Sequence, residues 1–176
     1  MIKIGIFNRL KRLITANKNM NNIPQDTRNL LNIHVGDIVS IDELDYEVQG
    51  LIKYNDHGWR WTEYKLKDGR KTYWLSIEQD DDIEISLYEE VVAITSTALK
   101  VYTYKNIKYY MQEGSDAIVE DLQGNINAIK GEQVDYYEYS DEDDENLLCI
   151  EIWNGEIEMS IGRWIEDYNI EIYPRS

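Results

Sequence analysis

Four glutamates stand in repeated settings. Trp61-Thr62-Glu63-Tyr64 and Leu75-Ser76-Ile77-Glu78 lie in the first half of the chain, and Tyr136-Tyr137-Glu138-Tyr139 and Leu148-Cys149-Ile150-Glu151 in the second. Carboxyl pairs whose environments drive their pKa values apart do general acid–base chemistry. With tryptophans beside them, glycoside hydrolysis is the reaction to test. In a strand, alternate side chains share a face, so Glu63 shares one with Trp59, Trp61 and Lys65, and Glu78 shares one with Trp74 and Ser76. If their strands pair across Asp68-Gly69, the two carboxylates approach each other. The competing reading is structural: each glutamate holds a backbone amide, a tyrosine hydroxyl or a nearby base. Duplication favours that reading, because a small domain rarely carries its catalytic pair twice. No catalytic residue is therefore assigned, and Glu63, Glu78, Glu138 and Glu151 stand as candidate carboxylates of a site.

The aromatic residues make a second set. There are 14 Tyr, 5 Trp and a single Phe. With one Phe, Tyr and Trp must build much of the core. Trp59, Trp61, Trp74 and Tyr136 are the candidates for an exposed aromatic surface that meets a partner or a ligand. Stacking on nucleic acid conflicts with the charge. The chain has 34 acids against 18 bases, a net −16, and such a surface repels phosphate.

Metal and thiol chemistry have little to work with. The single cysteine, Cys149, forms no internal disulfide and aligns with Ser76 in the repeat, which suits a small, inert strand residue. His34 and His57 have no second His or Cys beside them, so no metal site and no cofactor are expected. The acidic runs Asp80-Asp81-Asp82 and Asp141-Glu142-Asp143-Asp144-Glu145 lack the calcium-loop spacing and read as solvated hairpin tips.

Charge divides the chain. Residues 1–25 hold Lys3, Arg9, Lys11, Arg12 and Lys18 and no acid, a local +5, and the remainder carries −21. Ile6, Leu10, Leu13 and Ile14 fall on a helical stripe with Phe7 beside it, which predicts a short basic amphipathic helix. Ile6, Phe7, Arg9, Leu10, Lys11 and Arg12 are the candidate contacts to an anionic membrane surface or to a partner. Capping of the core by the same stripe is the competing expectation. No run approaches the ~20 apolar residues of a membrane helix, and basic residues inside the first apolar stretch argue against a secretory signal.

These residues must be positioned by short strands. From residue 30 onward, turn signals recur and Tyr and Ile dominate. Strands are expected near 37–41, 45–54, 59–67, 71–79, 82–88, 91–95, 100–104, 107–112, 116–121, 125–130, 134–140, 146–153, 156–162 and 168–173. Asn154-Gly155 is the strongest hairpin signal. Ile83-Glu84-Ile85-Ser86-Leu87 matches Ile157-Glu158-Met159-Ser160-Ile161, so three motifs recur in one order. That predicts a duplicated unit of about 55–70 residues. A three-stranded meander cannot bury its apolar face alone, but two copies can. The expected fold is all-β: an antiparallel duplicated meander closing into a sandwich or barrel. It comprises 1–29 as helix and linker, 30–98 as the first repeat and 99–176 as the second, in one compact domain.

Val35-Gly36-Asp37-Ile38-Val39, Tyr46-Glu47-Val48-Gln49-Gly50, Trp61-Thr62-Glu63-Tyr64-x-Leu66 and Trp74-Leu75-Ser76-Ile77-Glu78 together resemble the bacterial family catalogued as domain of unknown function 4178. The likeness runs from about 35 to 173. The second half lacks the Gly-x-Trp approach to its Glu-Tyr strand. The resemblance supplies no catalytic residues. It implies a bacterial, non-secreted accessory protein encoded near phage-shock-like membrane-stress proteins, small membrane proteins and polyamine-synthase-like proteins.

The leading expectation is thus a non-enzymatic interaction module with a protein partner. It would be cytoplasmic, peripheral at the inner face of the membrane, part of an envelope-stress system, and without direct nucleic-acid binding. One alternative is a small-ligand-binding or hydrolytic β domain using the paired Glu and Trp residues. Another is an acidic mimic of nucleic acid. The oligomeric state is left open.

Overall fold

The computed structural model describes residues 28–175, so the expected helix and its contacts Ile6, Phe7, Arg9, Leu10, Lys11 and Arg12 lie outside the described residues. Eleven strands follow: β1 Ile38–Ile41, β2 Leu44–Asp56, β3 Trp59–Asp68, β4 Lys71–Gln79, β5 Ile83–Val91, β6 Val101–Tyr104, β7 Ile107–Gly124, β8 Gln133–Ser140, β9 Leu147–Trp153, β10 Glu156–Trp164 and β11 Ile170–Tyr173. The order in the sheet is β11-β1-β2-β3-β4-β5-β10-β9-β8-β7-β6, neighbouring strands run antiparallel, and a β2–β7 pairing closes the ring. The fold is all-β, an eight-stranded antiparallel barrel of β2–β5 and β7–β10, with β1, β11 and β6 attached to it.

The duplication expected from sequence is visible in the pairing. A four-residue strand leads by a two-residue turn into a long strand in both halves: β1 into β2 and β6 into β7. Both turns have positive φ at both positions, at Asp42-Glu43 and at Lys105-Asn106, as a tight turn matching strand twist requires. Each long strand begins a four-stranded meander, and the halves join through their equivalent strands, β2 to β7 and β5 to β10.

Two expectations about strands are corrected. Segments 107–112 and 116–121 form one strand, because Gly114 does not break it: a Cβ there would lie 2.6 Å from the ring of Tyr137, its register partner. The bare glycine lets the aromatic ring cover the backbone, and a bulge between Met111 and Glu113 bends the strand. Segments 91–95 and 125–130 are not strands of their own. Val91 ends β5, and 125–132 connects β7 to β8.

Alternation sorts the side chains into an outer and an inner set. Outward residues of β3–β5, among them Leu66, Leu75 and Ile85, are buried with Val39 and Ile41 of β1, and Ile170 and Ile172 of β11 pack against them. Outward residues of β8–β10, among them Tyr139, Leu148 and Met159, are buried with Tyr102 and Tyr109 of the second hairpin. The main apolar mass therefore sits outside the barrel wall. Leu75 and Leu148, equivalent in the two halves, are both fully buried. Inside, Ile52 and Tyr54 of β2, Ala117 and Val119 of β7 and Val134 and Tyr136 of β8 fill the side of the lumen near the closing seam. The rest of the lumen is free to carry polar residues.

Candidate functional site

The lumen holds a cavity of about 680 Å³ that opens to solvent past Trp59 and Asp80-Asp81-Asp82. Its walls are the inward residues of the two meanders. Trp61 and Glu63 come from β3, Trp74, Ser76 and Glu78 from β4, and Glu84 and Tyr88 from β5. The second half contributes Tyr136 and Glu138 from β8, Cys149 and Glu151 from β9, and Glu158 and Ser160 from β10. All four glutamates expected from the repeat, with Trp59, Trp61, Trp74 and Tyr136, thus line one cavity. The aromatic set is not an outer face: ring closure turns Trp61, Trp74 and Tyr136 inward, and Trp59 remains at the exposed rim.

Register decides which carboxylates meet. Glu63 lies opposite Ser76, and Glu78 lies opposite Trp61, so the expected approach of Glu63 to Glu78 across their hairpin is only diagonal. The direct pairs are different. Glu78 lies opposite Glu84 between β4 and β5, and Glu151 lies opposite Glu158 between β9 and β10. Each half therefore sets two carboxylates of like charge side by side on the cavity wall, an arrangement that opposes sheet stability. Glu84 and Glu158 are the residues that sequence reasoning did not single out. Their signal was present in the third repeated motif.

The electrostatics follow from this placement. Burial pushes the Glu63 carboxyl well above its usual range, and the charge of Glu151 adds to the rise. β3 and β9 are diametrically opposite in the ring of eight, so that influence crosses the lumen. The Trp61 indole N–H donates to Glu63 Oε1 at 3.2 Å and partly offsets it. Burial raises Glu151 to about 7, against a 2.9 Å hydrogen bond donated by the Trp153 indole. Glu158 is raised by burial and by Glu90, with Lys65 opposing. The Lys65 ammonium stands 5.8 Å from the centre of the Trp74 ring. Burial, then Glu151, Glu138 and Glu63, raise the Cys149 thiol, the opposite of what a nucleophilic thiol needs.

An aromatic wall backs the carboxylates. Tyr54 stacks on Trp61 with ring centres 4.9 Å apart, and Trp61 meets Tyr136 edge-on at 5.3 Å. The Tyr136 hydroxyl donates to Asp56 Oδ2 at 2.8 Å. Burial would raise Asp56, but hydrogen bonds from His57, Tyr136 and Ser115 outweigh it and hold the carboxyl low. The rim continues through Trp59 and the exposed turn Asp80-Asp81-Asp82. No group of three or more His, Cys, Asp or Glu among the described residues is arranged to hold a metal ion. A carboxylate-rich, tryptophan-backed cavity of this kind can hold an ammonium or guanidinium group by charge and by the faces of its rings.

The family model described as Domain of unknown function (DUF4178) matches residues 34–167. The chain belongs to that family. In this member the match spans all eight barrel strands and every carboxylate of the lumen. No curated protein and no solved structure matches the chain.

Proposed function

We propose that this domain is a non-enzymatic binding module whose lumen takes a small organic cation carrying more than one positive charge. The observation that carries the reading is the duplicated like-charge pair, Glu78 opposite Glu84 and Glu151 opposite Glu158, on the wall of one open-mouthed cavity. Like charges set directly opposite one another on a sheet oppose its stability, and a bound cation relieves that repulsion. Tryptophan faces beside them favour an organic cation over a hydrated inorganic one.

Hydrolysis is the weaker alternative. A glycosidase needs one carboxyl neutral and its partner ionised. The shifts of Glu63, Glu151 and Glu158 all run upward. The repeated carboxylates also face inward, which counts against a mimic that must present acids to a partner. The setting beside the bacterial envelope, with a protein partner, remains part of the proposal. The basic composition of residues 1–25 supports it.

The test is a tryptophan-fluorescence titration of the full chain with tetraethylammonium, a linear diamine, a linear triamine and a neutral oligosaccharide. The di- and triamine should saturate the signal well below the concentration needed with tetraethylammonium, and the oligosaccharide should leave it unchanged. Saturation by the oligosaccharide alone would return the hydrolytic reading to first place.

A further inference from the structure

The two halves differ at one edge. β1 and β6 are equivalent strands, each four residues long and each turning back into a long barrel strand. The outer edge of β1 is paired with β11 over four positions, Ile38↔Tyr173 to Ile41↔Ile170. β6 pairs with β7 on one side, and among the described residues it ends the sheet on the other. β11 also brings Ile170 and Ile172 onto the cluster under β1. Leu99, just before β6, is instead 51% exposed, and Val101, its first residue, 39%. The linker before β6 does not take the place of a strand. It reaches over the Tyr102 side chain, whose hydroxyl donates to Thr95 Oγ1 at 3.0 Å.

Charge narrows what such an edge receives. In a barrel region rich in acids, residues 91–112 hold Lys100, Lys105 and Lys108 and no acid. Lys100 and Lys105 bracket β6, and the Lys105 and Lys108 ammonium groups stand over the rings of Tyr104 and Tyr110. Glu142, which accepts from the Tyr110 hydroxyl, belongs to the β8–β9 turn on the far side of β7. A second copy of β6 laid antiparallel on this edge would set lysine against lysine, the usual protection of an edge from self-pairing. The N-terminal residues 1–25 carry +5 and suit the edge equally poorly.

We propose that the open edge of β6 docks an extended, acid-bearing segment of a partner protein, added as a strand in the way β11 is added to β1. Backbone hydrogen bonds along Val101–Tyr104 would give the affinity, alternate aliphatic side chains would cover the exposed residues, and acids at its ends would meet Lys100 and Lys105. This surface is independent of the lumen.

The probe is a synthetic peptide with the sequence of residues 164–174, which contains β11 and carries Glu166, Asp167 and Glu171. It is titrated into the ¹⁵N-labelled full chain and followed by amide shifts and amide exchange. The expected result is saturable shifts and slowed exchange confined to residues 100–105. The affinity should fall about tenfold or more when the peptide carries Glu166→Lys, Asp167→Lys and Glu171→Lys, or when the protein carries Lys100→Glu and Lys105→Glu. Shifts centred on β1, reporting exchange with the resident β11, would overturn the proposal. So would equal binding of the charge-reversed peptide, no binding at all, or a concentration-dependent dimer that protects β6 without peptide.

Discussion

Glu158 of β10 lies directly opposite Glu151 of β9 on the wall of the lumen, as Glu84 of β5 lies opposite Glu78 of β4. Neighbouring carboxylates of like charge favour protonation of one another. Glu63, Glu151 and Glu158 are all raised above the ordinary carboxyl range, Glu151 to about 7.

The first consequence is a stability profile. Glu63, Glu151 and Glu158 titrate higher in the folded chain than in the unfolded one. The folded state then binds more protons, so their stabilisation is complete below the unfolded pKa and is lost as pH rises through the folded values, about 7 for Glu151. Asp37 and Asp141 act in the other sense. Burial would raise both, but hydrogen bonds from His34, Arg175 and Arg28 to Asp37, and from Asn146 and Glu145 to Asp141, hold them low. Their contribution is lost as pH falls through those low values. Thermal unfolding at constant ionic strength should give a maximum Tm near about pH 5 and a fall toward about pH 8. A Tm that rises over that interval would contradict the electrostatics.

Neutralising the pair across the lumen should remove that slope. Glu63→Gln with Glu151→Gln keeps an oxygen for each indole N–H and deletes two crowded charges. Relief of about 1–2 kcal/mol at pH 8 corresponds to a Tm gain of roughly 2–8 °C, with little change near pH 5. Differential scanning calorimetry at the two pH values decides this. A double variant less stable than the parent at pH 8 would mean that the carboxylates are structural anchors.

The duplication makes its own forecast. Leu75 and Leu148 occupy equivalent, fully buried positions in separate clusters. Leu75→Ala and Leu148→Ala should each cost about 2–5 kcal/mol, read as shifts of the urea midpoint at unchanged slope. A single transition should persist in both variants, because the halves share the β2–β7 and β5–β10 seams. A variant that unfolds in two steps would show the halves to be separate units.

Much of this was legible in the residues. Period-two alternation placed Glu63 with Trp61 and Lys65, and the three repeated motifs foretold two equivalent meanders. What local pattern does not encode is which strand meets which across the halves. The closure of β2 on β7 joins residues about 70 positions apart, such as Gly50 and Gly124, through pairing alone. Without it, Glu63 and Glu78 looked like the natural pair, whereas closure sets Glu63 against Glu151. The separation of 107–112 from 116–121 fails for a different reason. Gly114, which lies between them, makes room for the Tyr137 ring within a continuous strand.

The basic N-terminal residues carry a separate expectation. Vesicles containing anionic lipid should co-sediment the full chain and leave the chain begun at Arg28 in the supernatant. Salt should release the bound fraction, since each basic residue near such a surface contributes about 1 kcal/mol that is screened within a Debye length. Equal recovery of both chains with anionic vesicles would remove the membrane from the proposal.

The most direct test of the central claim is isothermal titration calorimetry of a linear triamine into the full chain at about pH 8. The same titration is run on the Glu63→Gln, Glu151→Gln variant, whose folding is checked by its Tm. The expected result is one saturable site, an affinity at least about tenfold weaker in the variant, and weaker binding by the parent at about pH 6 as protons reoccupy the lumen. No saturable heat with the parent, or equal affinity in parent and variant, would show that the lumen carboxylates do not bind a cation.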